Sequence, residues 1–220
     1  MIKITNEDCM DLLKRTPDNY YELAICDVPY GIGADKAQNA GGQKWGYKKY
    51  HETDWDSEIP SAEYFKELFR VSKNQIMWGG NYLTYYLPAS MGWVFWDKGQ
   101  RDFSLADGEL AWTSFKRALR VFTMPRGTAL ADANNNGGKI HPTQKPVKLY
   151  EWLLINYAKQ GDKILDTHGG SLSIALAVHN VNSKESMNLT LDVCELDKEY
   201  FDEGVKRYKN HTQQKTIFDL

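Results

Sequence analysis

The stretch Glu22-Leu23-Ala24-Ile25-Cys26-Asp27-Val28-Pro29-Tyr30-Gly31 is a short apolar run stopped by an acid, a proline and a glycine. Pro29 and Gly31 punctuate it strongly, so it reads as a buried strand whose carboxyl end opens into a loop. The same pattern recurs along the chain. Gln75-Ile76-Met77-Trp78 stops at Gly79-Gly80-Asn81, Trp93-Val94-Phe95-Trp96 at Asp97-Lys98, and Lys163-Ile164-Leu165-Asp166 at a glycine-bearing turn. Ile2-Lys3-Ile4 and the alternating segment Asn188 to Glu195 supply two further strands.

Helical spacing fills the intervals. Cys9 to Lys14 is one short helix, and Ala62 to Val71 another, with Tyr64, Phe65, Leu68 and Phe69 on one stripe. Pro146 suits a first helical position, and Val147, Tyr150, Leu153, Leu154 and Tyr157 follow it at helical intervals. Ser173 to Val178 and Asp197 to Tyr208 complete the set. Strands alternating with helices predict an α/β fold, doubly wound around a mostly parallel sheet.

Two segments resist this pattern. Residues 31–60 hold glycines, lysines and aromatics without periodicity, as binding loops and lids do. Between Gly99 and Gly138 the periodicity weakens again. Phe103 to Phe115 reads partly as core, and Asn134-Asn135-Asn136-Gly137-Gly138 as a loop.

A chain of 220 residues suits one α/β domain, and 42% hydrophobic residues with seven tryptophans indicate a packed globule. No run approaches the roughly eighteen apolar residues of a membrane span, and no signal-peptide core opens the chain. Three scattered cysteines, Cys9, Cys26 and Cys194, fit neither a disulfide framework nor a zinc site. Reduced thiols in a cytoplasmic protein without a metal are expected. The formal charge of −2 lends nothing to a nucleic-acid partner, although Lys44 to Tyr50 and Lys116 to Arg120 are locally basic.

In doubly wound sheets, ligands bind beyond the carboxyl ends of the strands. Three polar turns fall at that edge. Asp166-Thr167-His168-Gly169-Gly170-Ser171 joins strand to helix, where glycines admit a ligand close to the backbone and a helix start favours anionic groups. Glu195 ends a later strand, placed to bind ribose hydroxyls. Together the two are compatible with a nucleotide-type cofactor or with a plain turn beside a surface acid. The loop lacks G-x-G-x-x-G, which argues against a nicotinamide enzyme.

The third turn, Asp27 to Tyr30, supplies what methylation of an exocyclic amine needs. That nitrogen's lone pair is delocalised into its ring. Hydrogen bonds from its hydrogens to the Asp27 carboxylate and to a backbone carbonyl would favour the attacking geometry. Tyr30 can stack on a base that has left the duplex, and Pro29 stiffens the turn.

These motifs, in this order, resemble the DNA amino-methyltransferases of the permuted, beta-class type, in which the catalytic motif precedes the cofactor motif. The likeness runs along almost the whole chain. Asp27-Val28-Pro29-Tyr30 matches the catalytic motif, and Trp78-Gly79-Gly80-Asn81-Tyr82 the next strand end. His141-Pro142-Thr143-Gln144-Lys145-Pro146 matches the motif that precedes the cofactor strand. The resemblance implies a seven-stranded methyltransferase sheet in a single domain over residues 1–220, S-adenosyl-L-methionine as cofactor and DNA as partner. It assigns catalysis to Asp27, Pro29 and Tyr30. It assigns the cofactor to Asp8, Asp27, Thr143, Lys145, Asp166, His168, Gly170, Ser171 and Glu195. Asp at the first catalytic position is more typical of adenine N6 enzymes, and Ser of cytosine N4 enzymes.

Two residues depart from the family. Val28 replaces a first proline, and Leu172 stands where the cofactor loop often has a second glycine, which narrows the pocket or weakens cofactor affinity. Intact Asp27, Pro29 and Tyr30 argue against a non-catalytic remnant.

Target recognition falls within 99–139, a short or relaxed device unless a homodimer shares the work. The 31–60 loop offers Trp45, Lys48 and Lys49 to DNA. The tail at 210–220 contains Gln214-Lys215-Thr216-Ile217-Phe218, which resembles a sliding-clamp docking peptide. The compact form looks like phage and mobile-element enzymes, acting in the cytoplasm of a bacterium or an infected host.

Overall fold

In the computed structural model, residues 1–34, 54–102 and 106–213 are described. They form one eight-stranded sheet in the order β1-β8-β7-β2-β3-β5-β4-β6. The strands are β1 (Ile2–Asn6), β2 (Leu23–Cys26), β3 (Gln75–Trp78), β4 (Trp93–Asp97), β5 (Gly108–Thr113), β6 (Arg120–Thr123), β7 (Lys163–Asp166) and β8 (Thr190–Glu195). Every neighbouring pair is parallel except β3–β5 and β4–β5, so β5 alone runs backwards between two parallel strands.

β2 shows why its sequence is apolar throughout. All four of its residues are buried, and they alternate between two cores. Leu23 and Ile25 face α4 (Val147–Tyr157) and α5 (Ser173–Glu185). Ala24 and Cys26 face α1 (Cys9–Arg15) and α2 (Ala62–Val71). A strand covered on both faces has no polar side to display. α3 (Arg126–Asn135) and α6 (Lys198–Gln213) complete the helices named here, and among the described residues none is long and apolar enough to cross a membrane.

The α/β, mostly parallel expectation holds, with one strand more than the seven expected. The extra structure lies in the weakly patterned 99–139 segment, where β5, β6 and α3 occupy most of the described residues. β6 is an edge strand with three of four residues exposed, so it carries no apolar run to read. α3 lacks a continuous apolar stripe and runs to Asn135, so the expected Asn134-to-Gly138 loop begins only at its cap, Asn136. Arg117, within the basic run at 116–120, donates to the Asn156 carbonyl at 2.7 Å and lies over the Tyr157 ring, a structural use.

β2 is the switch point. The chain builds outward from it through β3 on one side and through β7 and β8 on the other, leaving a crevice at its carboxyl end.

Candidate active site

The crevice is a cavity of about 940 Å³, walled by turns from the carboxyl ends of β1, β2, β3, β7 and β8. That volume lies toward the upper end of small-molecule sites, which run roughly 300–1,000 Å³. Asp27, Val28, Pro29 and Tyr30 all line it, as do Asp8, Thr143, Lys145, His168, Gly170, Ser171 and Glu195. Asp166 is the exception. It is buried behind the wall, where its carboxylate accepts the His168 N–H at 3.0 Å.

The Asp27-to-Tyr30 turn is gathered by side chains from elsewhere. The Tyr30 phenol donates to Asp27 Oδ1 at 2.5 Å, and Lys145 Nζ lies 2.5 Å from Asp27 Oδ2. Lys145 is 3% exposed and also reaches Glu109 at 3.2 Å, while Lys98 holds the other Glu109 oxygen at 2.6 Å. The four charges thus alternate in sign: Asp27, Lys145, Glu109, Lys98. Burial pulls the Lys145 ammonium down, but Asp27 and then Glu109 more than offset it, and its pKa ends above the ordinary lysine value. Burial raises the Glu109 carboxyl, yet Lys145 and Lys98 bring it below its usual range. Asp27 remains raised by burial despite the opposing pull of Lys145. Burial, then Asp27, lifts Tyr30 well above an ordinary phenol, so it stays a donor. Lys145, expected on the cofactor, has its ammonium engaged by Asp27.

Asp56 fixes the backbone that follows. Its carboxylate accepts from Tyr30 N at 2.6 Å, Gly31 N at 3.0 Å and Ala34 N at 2.7 Å, and the side chain is buried. Gly79 gives Tyr30 its seat. A Cβ there would fall 2.1 Å from Tyr30 Cε1 and 2.5 Å from both Cδ1 and Cζ, a pattern that places the glycine against the ring face. Its φ of +67° suits glycine for a second reason.

On the opposite wall, expected to hold the cofactor, Glu195 accepts from Gly170 N at 2.6 Å and Asp197 N at 2.8 Å, tying the β7 and β8 turns together. Asp8 caps α1 through Met10 N at 2.7 Å while still lining the cavity. Burial drives His168 down to about 4, and burial with Lys145 and Lys139 drives His141 to about 3, so both imidazoles are neutral. Thr143 Oγ1 lies 3.1 Å from His141 Nδ1. Tyr64 closes the floor, its hydroxyl 2.6 Å from Thr167 Oγ1.

Leu172 corrects an expectation. It does not narrow the cavity, whose wall passes from Ser171 to Ser173 without it. The residue adopts φ +56° and turns a fully buried side chain into the core. Gly169 and Gly204 make room: a Cβ on either would approach Leu172 side-chain atoms to 2.7 or 2.8 Å.

Sequence reasoning missed Glu109, Lys98 and Asp56. Trp45, Lys48, Lys49 and the Gln214-to-Phe218 peptide lie outside the described residues.

The DNA methylase family model for N6 and N4 enzymes matches residues 93–206, more than half of the chain. A type II methyltransferase of Haemophilus parainfluenzae, M.HpaI, is 25% identical over 231 residues, covering 86% of this chain and 71% of its own. Among solved structures, the M1.HpyAVI–SAM complex aligns with a TM-score of 0.59 at 17% identity over 94% of this chain and 98% of that one. The cytosine-N4-specific PvuII DNA methyltransferase gives 0.57 at 13% identity, over 96% and 90%. A putative DNA modification methylase of Thermus thermophilus, complexed with S-adenosyl-L-methionine, gives 0.58 at 11%, over 98% and 96%. At these identities the structural matches speak for the fold.

Proposed function

The chain belongs to the N6/N4 DNA methylase family, and from that premise we propose that it methylates adenine N6 of a base swung out of duplex DNA, with S-adenosyl-L-methionine as donor. The observation that carries this reading is the convergence of Asp27, Tyr30 and buried Lys145 on one cavity with the Gly169-Gly170 turn and Glu195. Asp at the first catalytic position favours adenine over cytosine.

The cavity suits a cationic donor. Carboxylates of Asp8, Asp27 and Glu195 face it, and the imidazoles of His141 and His168 add no positive charge. Glu195 would receive ribose hydroxyls, while Gly170, Ser171 and Thr143 contact the rest. When bound, S-adenosyl-L-methionine supplies an electrophilic methyl group on a sulfonium.

Asp27 and the Val28 carbonyl would accept the two hydrogens of the target amine and so orient its lone pair. Asp27 would take the proton that the nitrogen sheds when the methyl–sulfonium bond gives way to the methyl–nitrogen bond. With Gly79 against the Tyr30 ring and Tyr82 stacked on it, the base would meet the aromatic surface that Tyr30 and Tyr82 form together, and Lys145 would hold the Asp27 carboxylate in place. Positioning is the main contribution, and an in-line arrangement accounts for a large share of the barrier.

About half of the 99–139 segment builds the sheet and α3, so recognition is short or relaxed unless two copies share it. Methylation mapping that returned one long, strict sequence would contradict this.

The decisive assay is methyl transfer from labelled S-adenosyl-L-methionine to unmethylated DNA, digested and read by mass spectrometry. N6-methyladenine with wild type, and none with Asp27→Ala, is the expected result. N4-methylcytosine would keep the mechanism and overturn the base. No product despite cofactor binding would overturn the reaction.

A further inference from the structure

Beyond Gly79-Gly80, the chain passes through Tyr82, which lines the cavity, and then Tyr85 and Tyr86, which do not. Tyr82 stacks on Tyr30, ring centroids 5.2 Å apart and planes 15° from parallel. Tyr82 is 47% exposed, and Tyr85, three residues on, is 90% exposed.

These rings protrude from a fixed base. Tyr82 N donates to the Gly79 carbonyl at 2.8 Å, Tyr86 N to Leu83 at 2.9 Å, and Leu87 N to Leu83 at 3.1 Å. Leu83 and Leu87 are buried, and Tyr86 stacks on Phe65 at 4.5 Å. The turn therefore has its apolar anchors already, and Tyr85 adds to them only an edge contact with Tyr86.

We propose that Tyr85, together with the outer part of Tyr82, is a DNA-stacking surface that stands in for the target base when it leaves the duplex. This rests on the methyltransferase reading above. Extruding a base unstacks its neighbours, and an aromatic ring restores that stacking without regard to sequence. Tyr82 joins this turn to the place where the extruded base must arrive through its stack on Tyr30, and Tyr85 follows it three residues on, one turn further out. A chain with a formal charge of −2 has little general attraction for phosphates, so contacts of this kind carry more of the binding.

The test uses the full chain and duplexes bearing the sequence that methylation mapping assigns to wild type. One duplex has the target base paired, the other mismatched, which lowers the cost of extrusion. Tyr85→Ala should lower kcat/KM on the paired duplex about tenfold, equivalent to about 1.4 kcal/mol, and mostly regain it on the mismatched one. Tyr85→Phe should match wild type on both, and cofactor affinity should not change. Equal activity of Tyr85→Ala and wild type on the paired duplex would overturn the proposal. So would an equal loss on both duplexes, or a loss explained by dissociation of a dimer. A wild-type protein that methylates neither duplex would instead defeat the underlying reading.

Discussion

The turn after β2 and the turn after β7 lie side by side at the sheet edge, and each departs from its family pattern by one residue. In the first, Val28 replaces a proline, and the missing stiffness is supplied by polar side chains. Asp56 collects three backbone N–H groups, and Lys145 and Tyr30 bracket Asp27. In the second, Leu172 replaces a glycine, and the compensation is steric: a left-handed leucine fills a slot that Gly169 and Gly204 leave open. A turn held by charge is sensitive to which atoms are present, whereas a turn held by packing is sensitive to volume. The two should therefore fail differently.

The largest effect is expected at Lys145. Lys145→Met leaves the half-buried Asp27 and Glu109 near one another without the cation between them. The stability cost is at most the roughly 3–5 kcal/mol of breaking a fully buried pair, so Tm should fall; with Asp27 no longer held in place, kcat should fall about a hundredfold. Cofactor affinity, measured by calorimetry, should change much less. A variant that lost cofactor binding while kcat survived would return Lys145 to the cofactor.

Asp56 comes next. Each hydrogen bond to a charged acceptor contributes about 1.5–3 kcal/mol, and three are shared by this carboxylate without full additivity. Asp56→Ala should lower kcat by roughly ten- to a hundredfold through disorder of the Tyr30 backbone. Asp56→Asn can keep the acceptor for Tyr30 and Gly31 and lose the one for Ala34, so it should recover part of the rate. Equal damage by both variants would show that charge, not position, is what matters there.

These residues also mark where the sequence stops being legible. Strand ends could be read because β2, β3 and β7 are largely apolar runs stopped by glycine or proline, which delivered Asp27 and the Asp166 turn, while Glu195 came from the end of the alternating β8. Glu109 could not. The rule for parallel sheets looks at carboxyl ends, but β5 runs backwards, so its beginning reaches the cavity. Asp56 sits 26 residues from the backbone it holds, in a stretch without periodicity. Leu172 was visible as a departure, but its direction depends on Gly204, which only the packing of α6 brings near.

The cofactor turn should show coupling through volume. Leu172→Gly relieves left-handed strain of about 1–2 kcal/mol, yet removes a buried leucine whose loss costs about 2–5 kcal/mol. A net loss of about 1–3 kcal/mol in denaturant unfolding follows. Gly204→Ala alone should destabilise, because its Cβ would meet Leu172 Cγ at 2.8 Å. In a Leu172→Ala background the same change should be tolerated, giving a coupling energy of about 0.5–3 kcal/mol. Additive effects would mean that the slot is not what accommodates the leucine.

The mildest expected effect separates charge from packing within the cofactor turn itself. Burial pushes Asp166 up to about 8, with the His168 N–H pulling it down and Asp27 and Glu195 adding to the rise. Its folded value lies above its unfolded one, so protonated Asp166 favours the empty fold. That contribution is full below the unfolded carboxylate range, near about 4, and is lost as pH rises through about 8. A cationic donor bound nearby favours the ionised form and must therefore release a proton when it binds below that value. S-adenosyl-L-methionine affinity should rise between about pH 6 and 8, by at most about tenfold per unit, and then level off. Calorimetry in buffers of different ionisation enthalpy would detect the released proton. Asp166→Asn should flatten the profile while keeping the fold. A wild-type affinity independent of pH over that range would mean that Asp166 shapes the turn without sensing the ligand's charge, leaving packing as the only means by which this turn acts.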